Sequence, residues 1–137
     1  MLFRSKDKFS AVSSDGVGYD FAAKKTNDLP HPRSFGAFPR AVNQLVKKKG
    51  IMPLETIIFK MTGLPAQILG IKDRGVIEKG KKADLAVFDP ETIADAATYE
   101  SPFAPPSGIP YVFVNGQAVV SSSKITGSLP GKALRKQ

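Results

Sequence analysis

Asp15 stands in Ser14-Asp15-Gly16, and His31, Arg33 and Arg40 follow in and just after a Pro-rich stretch. A carboxylate at such a turn can accept and return a proton, and so can an imidazole, which can also ligate a metal. A guanidinium fork matches a carboxylate in two parallel hydrogen bonds, so either arginine could bind an acidic substrate group. Each residue also has an ordinary use. Asp-Gly is a common turn, a lone histidine in a Pro-rich loop is commonly solvated, and an arginine at a helix start is commonly a surface charge. Arg33 is the better placed of the two arginines, because Arg40 falls inside the helix expected to begin near Phe38. Asp84 and Asp89 flank a strand and read as caps of strand ends and turns rather than as an acid–base pair. His31 is the single histidine and there is no cysteine. A catalytic zinc takes about three protein ligands, mostly histidine, so this chain cannot supply them.

The elements that position these residues follow from periodicity. Phe9 to Ser13 reads as a short strand running into the Asp15 turn, and no period appears from there to about Phe35. Phe38, Ala41, Val42, Leu45 and Val46 repeat as one buried helical face, with Pro39 suited to the first turn. Lys47-Lys48-Lys49 before Gly50 complement a helix C-terminus. A second helix opens at Pro53 with Glu55 near its positive end and buries Leu54, Ile57, Ile58 and Met61. A third runs from Pro65 to Leu69 and stops at Gly70. The run Asp84 to Asp89 holds four consecutive apolar residues and reads as a strand buried on both faces. Tyr111–Val114 and Gln117–Val120 flank Asn115-Gly116, a type I′ hairpin signal.

The 137 residues leave room for one domain, and 42% hydrophobic content supports a modest core. No apolar run approaches a membrane span, no secretory leader is visible at the start, and the lack of cysteine fits the cytoplasm. The net charge of +8 comes from 20 basic and 12 acidic residues. It is uneven: residues 1–82 hold 16 basic against 7 acidic, and residues 83–123 hold 5 acidic and none basic. No basic segment is interleaved with stacking aromatics, which argues against nucleic acid as a partner. Met1 to Ser5 resembles the translated end of a sequencing adapter and is set apart as non-native.

The stretch Thr62 to Pro90 resembles the C-terminal signature of the amidohydrolase superfamily. The matching positions are Thr62, Pro65, Ala66, Leu69, Gly70, Gly75, Ile77, Gly80, Ala83, Asp84, Leu85, Val87 and Asp89. Three further segments are similar to the N-acyl-D-amino-acid deacylases, or D-aminoacylases: Ser14-Asp15-Gly16, the run His31-Pro32-Arg33 to Phe38-Pro39-Arg40, and the run Asp89-Pro90 to Thr98-Tyr99. The closing Thr126-Gly127 to Leu134 resembles that group too. Order and spacing agree from about residue 10 to the end.

The resemblance implies an α/β plus β fold. Residues 6–72 would be the end of a metal-dependent TIM-like barrel, with its last strand, active-site loop and helices. Residues 73–137 would be part of a small C-terminal β-sandwich domain. It implies hydrolysis of the amide bond of N-acyl-D-amino acids in the complete enzyme, with zinc as cofactor. Asp15 would be the catalytic proton carrier facing a metal-bound water, and a candidate metal ligand in the complete enzyme only. Arg33 and His31 would serve substrate binding. The family's remaining ligands lie upstream, so the chain is expected to be a C-terminal fragment, inactive alone, whose partner is the missing N-terminal barrel portion. A piece of a cyclic amidase of the hydantoinase or dihydroorotase kind is the nearer alternative. An independent basic binding module is the farther one.

Overall fold

The computed structural model describes residues 6–19 and 29–134; Met1 to Ser5, set apart above, lie outside the described residues. Helix α1 spans Arg33–Ala41. It opens where the N–H groups of Phe35 and Gly36 donate to the Pro32 carbonyl, both at 3.1 Å. It begins earlier than the apolar period predicts, and Pro39 lies inside it rather than in its first turn. Phe38, expected inside, is half-exposed. Beyond Pro39, which can donate no backbone hydrogen bond to the turn before it, the helix passes into a π-helical stretch, Val42–Lys48. That stretch ends at Gly50, whose φ is 55°. The Ile51 N–H reaches back to the Leu45 carbonyl at 2.8 Å, closing the helix end as the lysine run and glycine predict.

Helix α2, Leu54–Met61, follows Pro53 and carries Glu55 in its first turn. Helix α3, Gly63–Leu69, ends at Gly70 in the left-handed conformation. Beyond it four antiparallel strands form a meander in the order β1 (Leu85–Val87), β2 (Tyr111–Val114), β3 (Gln117–Ser121), β4 (Lys124–Ile125). Asn115 and Gly116 have φ of 49° and 80°, the pair of positive values that a type I′ turn requires. Leu85 faces Phe113, and Val87 faces Tyr111.

Two expectations change. The segment 9–13 joins no ladder; its Val12 N–H donates to the Lys60 carbonyl at 3.0 Å instead. A barrel-type strand needs neighbours on both sides, and among the described residues none pairs with it. The strand at Asp84–Asp89 is three residues long and sits at the sheet edge, with Val87 47% exposed rather than buried.

The core lies among the helices. Val42, Leu45, Met52, Ile57 and Ile93 are buried together, with Val12, Ile58, Met61 and Phe88 packed against them. Ile93 comes from the long connection between β1 and β2, which folds back over α1. Gly36 in α1 permits this approach, since a Cβ there would stand 2.9 Å from the Asp95 Cβ. The sheet has no buried residue.

Candidate active site

Asp15 occupies a turn built from its own neighbours. The Ser14 hydroxyl accepts the Gly16 N–H at 3.1 Å, and the Ser13 hydroxyl accepts the Asp15 N–H at 3.4 Å. This serine-rich turn gives Asp15 a φ of 49°, a conformation that aspartate tolerates better than most residues. Gly16 then lies against the start of α1, where a Cβ would fall 2.8 Å from the Ser34 Cα. The loop and the helix start are thus held in direct contact.

Arg33, the first residue of α1, closes that contact chemically. Its Nη2 lies 3.0 Å from Asp15 Oδ2, and its Nε donates to the Asp15 carbonyl oxygen at 3.1 Å. The Asp15 carboxylate stays 84% exposed, open on its other side to an incoming molecule. His31 joins through the backbone: its Nδ1 accepts the Arg33 N–H at 3.1 Å. A ring nitrogen that accepts carries no proton, so in the neutral ring Nε2 is the protonated nitrogen. It sits 3.0 Å from the Tyr99 hydroxyl, with the two rings edge to face at 5.1 Å. Beside this group Tyr19, Phe35 and Phe103 meet with centroid separations of 5.5 to 6.0 Å.

Asp15, His31 and Arg33 therefore converge, from a loop and a helix start 16 or more residues apart in sequence. Arg40 does not join them. It pairs with Asp95 at 3.3 Å on the connection between β1 and β2. Asp84 and Asp89 stand apart from the group and from each other's partners. Burial pushes the Asp84 carboxyl up, but the Asn115 N–H at 2.7 Å and the hydrogen bond and charge of Arg74 outweigh it. The net position is below the usual carboxylate value. Asp89 also sits below that value, because its oxygens accept the Glu91 N–H at 2.8 Å and the Thr92 hydroxyl at 2.9 Å.

Tyr99 and Arg74 were not singled out by type and spacing. Tyr99 lies 68 residues from its partner His31, and only the run ending in Thr98-Tyr99 marked it. Arg74 stands inside the amidohydrolase-like stretch but outside its matching positions.

As a metal centre the group does not suffice. Among the described residues no three His, Cys, Asp or Glu side chains cluster closely enough to hold an ion. Asp15 and His31 are linked through Arg33, whose side chain pairs with the first and whose backbone N–H is accepted by the second. What the arrangement offers is an aimed, solvent-open carboxylate beside a guanidinium that uses two of its five donors.

The profile of the amidohydrolase family matches residues 26–120, and the chain belongs to that family. It is 42% identical over 125 residues to a D-aminoacylase of Alcaligenes xylosoxydans xylosoxydans, covering 91% of this chain and 24% of that protein. A crystal structure of D-aminoacylase, 47% identical, superposes with a TM-score of 0.70 over 72% of this chain and 21% of its own. An N-acyl-D-glutamate deacylase from Bordetella bronchiseptica, solved with zinc and a phosphonate inhibitor, is 44% identical with a TM-score of 0.64, over 66% of this chain and 19% of its own. The chain thus spans about a quarter of the length of the curated relatives it matches. Its helices and small antiparallel sheet are a portion of the amidohydrolase fold.

Proposed function

We propose that this chain is the C-terminal portion of a zinc-dependent hydrolase that cleaves the amide bond of N-acyl-D-amino acids. The observation that carries the reading is the convergence of Asp15, Arg33 and His31 in a chain whose relatives are D-amino-acid deacylases. Residues 6–72 are assigned to the end of a catalytic barrel and residues 73–137 to part of a β-sandwich domain. The exposure of large apolar side chains, Ile77 at 91% and Phe9 at 75%, supports a larger body packed against this one.

In this reading Asp15 accepts a proton from the attacking water as the water oxygen bonds to the amide carbonyl carbon. It returns that proton to the amine nitrogen as the C–N bond breaks, giving a carboxylate and a D-amino acid. Arg33 fixes the direction of the carboxylate, and its remaining N–H groups are available to the free carboxylate of the substrate. His31, held by Arg33 and Tyr99, shapes the loop at the mouth of the site. The zinc of the family would take its remaining ligands from outside the described residues, with Asp15 as a candidate ligand in the complete enzyme.

The test is amine release by the complete protein that carries this sequence, offered N-acetyl-D-amino acids, their L-enantiomers and cyclic amides. Turnover of the D-substrates above the other two supports the proposal. Preference for the cyclic amides would instead assign a dihydroorotase-like or hydantoinase-like reaction.

A further inference from the structure

Among the described residues Lys60 is the one charged side chain that is buried, at 4% exposure. Its position near the end of α2 would suit a solvated cation interacting with the helix C-terminus. Instead its ammonium points into the segment that leads to Asp15. Nζ donates to the Asp7 carbonyl, to the Ser10 carbonyl at 2.8 Å and to the Ser10 hydroxyl at 3.2 Å. An ammonium has three donors, and these three acceptors use them all. The acceptors are gathered by a turn: the Asp7 carboxylate takes the Phe9 N–H at 2.8 Å, and the Asp7 carbonyl takes the Ser10 N–H at 3.2 Å. The Lys60 main chain grips the same segment two residues on, where its carbonyl accepts the Val12 N–H at 3.0 Å.

Burying an unpaired ammonium is costly, and its hydrogen bonds must offset that cost. A methionine or leucine would fill the same space at less expense. Among the described residues no strand pairs with the segment. Asp15 lies between two attachments: the Lys60 grip at residues 7–12 and the contact of Gly16 with Ser34.

We propose that Lys60 is a positioning residue for Asp15, an internal clamp that fixes the course of residues 7–12 and so the place of the carboxylate. The catalytic consequence rests on the proposed role of Asp15; the clamp itself does not.

Two measurements separate these. Hydrogen exchange on the complete protein that carries this sequence, read at residues 8–16 with the 111–121 hairpin as internal reference, tests the clamp. Lys60→Met should speed exchange at 8–16 by about tenfold or more while the hairpin changes less than about twofold, and Lys60→Arg should recover part of the protection. Unchanged exchange at 8–16, or equal acceleration of the hairpin, would overturn the clamp. The second measurement uses the same protein. A small misplacement of a reacting group costs up to about a hundredfold in rate, so Lys60→Met should lower kcat by about tenfold to a hundredfold with KM little changed. Lys60→Arg should restore part of the rate. If Asp15→Asn abolishes turnover and Lys60→Met leaves kcat intact, the positioning inference fails and the proposed role of Asp15 stands. If Asp15→Asn leaves turnover intact, the proposed role fails and the exchange data alone decide the clamp.

Discussion

Replacing Arg74 with methionine should loosen one corner of the sheet by a calculable amount. The Arg74 side chain is 14% exposed. Nη1 donates to Asp84 Oδ2 and Nη2 donates to Asn115 Oδ1 at 2.7 Å. Nε lies 3.8 Å from Asp73 Oδ1, too far for a hydrogen bond. Asp84 in turn accepts the Asn115 N–H, and the Gly116 N–H reaches the Ala83 carbonyl at 2.9 Å. Arg74 therefore ties the start of β1 to the turn between β2 and β3. Methionine keeps the apolar stem and removes both hydrogen bonds. Each bond to a charged group contributes about 1.5–3 kcal/mol. Asp84 is 33% exposed, so water replaces part of its share and the low end applies, about 2–3 kcal/mol in total. At about 1.36 kcal/mol per factor of ten, that is a rise of roughly 30- to 150-fold in local opening. Amide exchange at Asn115 and Gly116, compared with α2, measures it. Acceleration below about threefold, or equal acceleration in α2, would refute the reasoning. A double-mutant cycle with Asp84→Asn should show a coupling of about 0.5–3 kcal/mol, as expected for direct contacts.

The same corner should respond to acid. Asp84 sits below its unfolded value of about 3.9. Its contribution is complete above that value and is lost as pH falls through its lower folded value, so turn opening measured from pH 6 to pH 2 should rise only below about pH 4 and less steeply in Asp84→Asn. The isolated chain should bind an apolar fluorescent dye under native conditions, because Ile77, Leu129 and Phe9 are largely exposed; absence of binding would mean that its apolar surface is covered. After dialysis the isolated chain should retain no stoichiometric zinc and release no amine from N-acetyl-D-amino acids, since its described residues gather no three-ligand set; one zinc per chain by metal analysis would contradict that.

The helices and the hairpin were legible because each announces itself locally. Pro53 and Glu55 start α2, Gly70 ends α3 with a positive φ, and Asn115-Gly116 dictates its turn. The segment 9–13 shows the opposite case. A strand forms only where a partner pairs with it, and among the described residues its backbone is held by Lys60 instead. The site was half legible. The HPR run and the Ser-Asp-Gly turn named Asp15, His31 and Arg33 by type, yet no periodicity says that Arg33 reaches across to Asp15 or that Tyr99 reaches His31. Those contacts depend on close approaches such as Gly16 against Ser34 and Gly36 against Asp95, which sequence spacing does not encode. Lys60 was hidden most completely, because a lysine near the end of a helix reads as a solvated charge.

The proposed role of Asp15 as the proton carrier in amide hydrolysis is tested most directly by one measurement. Turnover of an N-acetyl-D-amino acid by the complete protein is compared with that of its Asp15→Asn form at equal metal content. Asparagine keeps the shape and the turn but cannot take up the proton. kcat should fall by about 10²–10⁴, the range for loss of a general acid–base group, with a smaller change in KM. An Asn variant retaining more than about a tenth of the rate would contradict it, because even the low end of that range exceeds tenfold.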